Sequence, residues 1–195
     1  MLNYVLYLTM PEYLAQWYAH ECRRNNHAAG DTFSAPVYRY PEPVSPIRGS
    51  VESDILETFL TKQPGPKPED FKDGSNLVVA IPSFRHRDPQ IYNYLRPSAR
   101  ELLYDCIRRR FKIAVWQDIH RLDTAFSRKD LAIQAWMEQH GIEDTETNYF
   151  AVLKVYDRAA AAYRKSESRK KSKKSLWFQT LFVFSVTICH KYKYE

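Results

Sequence analysis

At 195 residues, with 44% hydrophobic and 14% aromatic content, the chain is too apolar to stay disordered and long enough for one folded body with appended segments. Its net charge of +6 is unevenly placed: residues 1–95 carry nine Lys/Arg against eleven Asp/Glu, and residues 96–195 carry twenty against twelve. The positive field of the second half suits a polyanion, either nucleic acid or an anionic membrane surface, and leaves the fold open. Cys22, Cys106 and Cys189 are odd in number, widely spaced and without a C-x-x-C pair. Neither a disulfide framework nor a zinc ribbon is indicated, and a reducing, cytoplasmic setting is expected.

The opening "NYVLYLTM" has extended character and lacks the basic leader and cleavage site of a signal peptide, so it reads as a first strand. "PEYLAQWYAHECRR" follows as a helix with Pro11 in its first turn, where a missing N–H costs nothing. The four prolines of "SAPVYRYPEPVSPIRGS" make that stretch a surface connector. Ser50 and Ser53 precede a short amphipathic helix over "DILETFL", and "NLVVAIPSF" is a buried strand stopped by Pro82. Residues 1–95 are therefore expected to form a small α+β layer.

From Ser98 the pattern is helical, with Ser98 and Glu101 spaced as a capping box. Leu102, Leu103, Cys106, Ile107, Phe111, Ala114, Val115, Ile119 and Leu122 recur every three or four positions on one face. Ser127 and Asp130 repeat the cap ahead of "LAIQAWMEQH". Gly141 then stands where a left-handed residue closes a helix, letting Ile142 fold back on Trp136 or Met137. A third helix starts near Asp144 or Thr145 and turns Phe150, Leu153, Asp157 and Ala160 or Ala161 to one side. The expected organisation is α+β: the layer over 1–95, a three-helix part over 96–166, and a basic tail over 167–195.

A short Gly-containing corner between helices whose apolar residues face a third helix resembles the trihelical helix-turn-helix DNA-binding family over residues 128–164. The resemblance implies that Trp136, Ile142 and Phe150 face inward, while Thr145, Asn148, Tyr149 and Val152 face DNA bases. Glu143, Asp144 and Glu146 depart from the family's pattern, since they would repel phosphates at the helix end that enters the groove. They also stabilise the helix dipole by about 0.3 to 1 kcal/mol each, as in any ordinary helical corner.

Phosphate contact is expected from Arg108, Arg109 and Lys112 on the first long helix. Arg158, Arg164, Lys165, Arg169, Lys170, Lys171, Lys173 and Lys174 extend the set from the third helix into the tail. A solvated lysine tract is the alternative reading of that tail. "LWFQTLFVFSVTIC" beyond it is too short for a full membrane crossing, and "FVFSVTI" alternates as a strand that could pair with the body or with a protein partner. Beside the lysines it could also attach to anionic lipid.

No catalytic constellation emerges. "HRD" at residues 86–88 lacks the Gly-rich loop and D-F-G of a kinase, His20, Cys22 and His27 fit no standard metal spacing, and Asp118 and His120 point to different sides of a helix. His140 fits a helix C-terminus. With no cofactor or metal expected, the reading is a DNA-binding accessory or regulatory protein. The alternative is a protein-interaction or membrane-peripheral module.

Overall fold

The computed structural model describes residues 4–26, 38–39, 42–65, 74–123 and 128–191, with side chains as far as Lys170. Among them the elements run β1 (Val5–Leu8), α1 (Glu12–Asn26), β2 (Pro43–Val44), α2 (Val51–Phe59), β3 (Leu60–Lys62), β4 (Leu77–Ala80), β5 (Tyr92–Leu95), α3 (Pro97–Asp123), α4 (Lys129–Gln139) and α5 (Glu146–Lys191). This is a helix-rich α+β chain. Contacts divide it into two units, residues 1–155 and 156–195.

In the first unit β4 is the central strand, antiparallel to β1 and parallel to β2. The buried run Leu77, Val78, Val79 suits a strand paired on both edges. Pro43 occupies the edge, where its missing N–H is not needed. The proline-rich connector thus gives two residues to the sheet, which its composition did not announce. β3 and β5 form a separate antiparallel ribbon with a register shift between Thr61 and Lys62.

α1 starts as expected after Pro11, whose carbonyl accepts from the Leu14 and Ala15 N–H groups at 2.9 and 3.1 Å. Every residue from Leu14 to Cys22 is buried, so α1 has no solvated face over two turns. Ser50 caps α2 by accepting from the Ser53 N–H at 3.2 Å. α3 buries Ala99, Leu103, Ile107, Phe111, Val115 and Ile119, while Leu102 from the expected stripe is exposed. Arg110 Nη1 donates to the fully buried Glu52 Oε1 at 2.7 Å and ties α3 to α2.

Aromatic rings carry the core from α1 through α3 to α4. Trp17 meets Phe111 edge-on at 5.4 Å, Phe111 meets Trp136 at 5.8 Å, and Trp136 lies 4.4 Å from the His140 ring. α4 begins after Arg128 with no side-chain cap, and Ser127 lies outside the described residues. Its far end closes as the sequence suggests. Gly141 adopts φ +65°, the Ile142 N–H reaches the Met137 carbonyl at 2.9 Å, and the Gly141 N–H reaches that of Glu138 at 3.2 Å.

α5 is one helix of 46 residues. No Gly or Pro interrupts 146–191, so nothing local ends it at the expected tail, and the strand expected over 182–188 is helical. Among the described residues no helix is long and apolar enough to cross a membrane.

Candidate functional site

The expected base-facing set does not share an outward face. Asn148 (2% exposed) and Val152 are buried, and Phe150, expected inward, is 54% exposed. The buried side of α5 begins at Asn148 because its amide finds partners there: Nδ2 donates to the Glu143 carbonyl at 3.0 Å and to Gln16 Oε1 at 3.4 Å. Val152, one turn later, follows it inward. Thr145 caps α5, its Oγ1 accepting from the Asn148 N–H at 3.2 Å. Tyr149 is half-buried.

The corner is instead fastened to α1. Gln16 Oε1 also accepts from the Glu143 N–H at 2.9 Å, and Gly141 lies so close to His20 that an added Cβ would stand 2.8 Å from its Cδ2. Gln16 and His20 are one helical turn apart, so a single face of α1 holds both ends of the corner.

This docking gathers polar groups that are distant in sequence. His20 and Glu21 come from α1, Asp118 from α3, and His140 from the end of α4. His140 Nδ1 stands 3.5 Å from Glu21 Oε1, and its Nε2 stands 3.5 Å from Asp118 Oδ2. Trp136 Nε1 donates to that same Asp118 oxygen at 3.3 Å, and Arg24 donates to Glu21 Oε2 at 2.9 Å. His20, Glu21 and His140 are buried, and one potential ligand atom from each lies within 4.8 Å of the others. Asp118 therefore pairs with His140 rather than with His120, which stacks on Trp116 at 4.5 Å.

Burial, reinforced by neighbouring His140, lowers the His20 pKa to about 4 against the opposing pull of Glu21, so its imidazole is neutral near pH 7. Burial works against ionisation of Glu21 as well, yet His140, Arg24 and His20 outweigh it and hold the carboxyl below its ordinary value. A cavity of about 420 Å³ adjoins the cluster, with Glu21, Arg24, Asp118, Arg121, Gln139 and His140 in its wall.

Cys22 is buried, its thiol pushed up to about 12 by burial, and His27 lies outside the described residues. Residues 86–88 sit in a turn where Asp88 Oδ1 accepts from the Gln90 N–H at 2.9 Å. Arg108, Arg109 and Lys112 are exposed along α3, with Arg108 3.4 Å from Asp105. Arg158, Arg164, Lys165, Arg169 and Lys170 are exposed on α5, and the side chains of Lys171, Lys173 and Lys174 lie outside the described residues. Comparison with protein-family models, with curated proteins and with solved structures gives no match to this chain.

Proposed function

We propose that the chain is an accessory nucleic-acid-binding protein that holds duplex DNA by its phosphates through the cationic α5. Base reading at the α4–α5 corner is not part of the proposal, because Asn148 and Val152 are committed to the interior. The observation that carries it is the partition of charge. Residues 156–195 hold ten Lys/Arg against three Asp/Glu, a net of +7, whereas residues 1–155 hold nineteen against twenty, a net of −1.

Three of the α5 cations also share a direction. Arg158, Lys165 and Arg169 fall within an arc of about 40° at 3.6 residues per turn, and all three are exposed. Buried Ala160 belongs to the opposite side. A cationic stripe suits a linear array of phosphates, releasing counterions as it docks, and gives affinity without sequence information; exposed Arg164 and Lys170 lie off it, each about 120° around the helix from Arg158.

Titration of labelled duplex DNA at two salt concentrations tests this. Three phosphate contacts give a log–log salt slope of about −3, or a roughly 60-fold loss between about 50 and 200 mM. The triple variant R158Q/K165Q/R169Q is expected to remove about three units of that slope and to weaken unrelated sequences equally. No duplex binding at the lower salt, or binding untouched by the triple variant, overturns the proposal. Binding to anionic vesicles in the absence of duplex binding overturns it in favour of a lipid surface.

A further inference from the structure

His140 stands between two carboxylates contributed by two other helices. Asp118 is an acceptor that already takes the Trp136 indole N–H, and its Oδ2 faces His140 Nε2 at 3.5 Å, which suits an N–H on that nitrogen. On its other side Nδ1 faces the Glu21 Oε1 carboxylate oxygen at 3.5 Å. Both atoms are buried and neither has a hydrogen-bond partner. Natural cores rarely leave such atoms unsatisfied, and a cation between these two, a proton or a metal ion, serves both.

We infer that His20, Glu21 and His140 bind a divalent first-row transition ion, with Asp118 orienting the His140 ring for it. Three ligand atoms mutually within 4.8 Å need to close to about 3.3 Å for a tetrahedral ion. Two imidazoles and one carboxylate suit zinc and its neighbours, whereas calcium and magnesium take oxygen ligands. A carboxylate behind the metal-binding histidine is the usual outer partner, fixing tautomer and ring orientation. Glu21 and His140 also line the cavity, which gives water or a small anionic ligand access to the remaining coordination position.

Gly141 has a part in this arrangement. Its close approach to the His20 ring is what sets His140, the adjacent residue, beside α1. The inference is independent of DNA binding, since none of its residues belongs to α5.

The test is zinc titration of the untagged full chain, freed of metal by chelation, against a chromophoric chelator, with cobalt(II) absorbance as the report on ligands. One zinc per chain is expected, with a tetrahedral cobalt spectrum and no competition from magnesium. Asp118→Asn should weaken zinc by about 10- to 100-fold, and His140→Ala by more. Glu21→Gln keeps the shape of the carboxyl while removing its charge, and is expected to weaken zinc even where an alanine variant fails to fold. Absence of stoichiometric zinc overturns the inference and assigns the gap between Nδ1 and Oε1 to a proton on His140. Stoichiometric zinc that survives both Glu21→Gln and Asp118→Asn overturns it equally.

Discussion

The two units of this chain use charge in opposite ways. Residues 1–155 are nearly balanced in sign and draw charged or titratable groups inward, with Glu52, Glu21, His20 and His140 all buried. Residues 156–195 carry the whole surplus, and their described cations are exposed. Inside, a charge needs a partner at a fixed position and so specifies geometry; outside, it is screened and contributes mainly to the field felt by a partner. Charge substitutions should therefore cost stability in the first unit and change affinity in the second.

The largest contrast is expected in chemical reactivity. Burial raises the Cys22 thiol from 9.0 to about 12, opposed by Tyr18 and Arg110. The thiolate is the reactive form, so below its pKa Cys22 offers about a thousandfold less of it than an ordinary cysteine. Iodoacetamide labelling followed by peptide mapping should show Cys22 reacting at least that much more slowly in the folded chain than in urea. Equal rates in the two states would show that the interior around α1 is open.

Next comes the Glu52–Arg110 pair. Glu52→Ala leaves the Arg110 guanidinium, whose side chain is 33% exposed, without its 2.7 Å partner, which should cost about 3 kcal/mol, the low end for a buried pair. Replacing both residues by Met should recover most of that loss in urea unfolding, because two charges no longer need desolvation. A double variant as unstable as the single one would mean that packing, not charge, ties α2 to α3.

The corner separates conformation from contact. Gly49 and Gly141 both have positive φ, +72° and +65°, but a Cβ at Gly49 meets nothing within 4 Å, while at Gly141 it meets His20 at 2.8 Å. Gly49→Ala is expected to cost about 1 to 2 kcal/mol, the left-handed penalty alone. Gly141→Ala adds overpacking, for a total of about 3 kcal/mol. Equal costs in urea unfolding would mean that the corner does not press on α1.

Local regularity explains what could be read from the sequence. The four-residue spacing from Leu103 to Ile119 and the left-handed Gly141 are set by neighbours within one or two turns, and both appear as expected. Asn148 and Phe150 exchange sides because polarity normally sends an amide outward, and the Glu143 carbonyl together with Gln16, far away on α1, reverses that preference. The same remoteness hid the pairing of His140 with Glu21 and Asp118, which lie on three different helices. A helix buried on every side, as α1 is from Leu14 to Cys22, also has no polar face to show which of its residues converge on a site. β3 and β5 are too short for alternation to be recognised.

The smallest expected effect on stability tests the second unit. Glu167 accepts from Lys170 Nζ at 2.8 Å in an exposed i,i+3 pair, so Glu167→Ala should cost less than about 0.5 kcal/mol. The same change raises the charge of residues 156–195 from +7 to +8 and releases Lys170, so duplex binding at low salt should tighten by about twofold. A substitution that leaves unfolding unchanged while strengthening binding places the carboxylate's influence in the field rather than in the fold. A loss above about 1 kcal/mol with unchanged affinity would reverse that assignment, making the charge of α5 structural and removing the basis of the contrast between the two units.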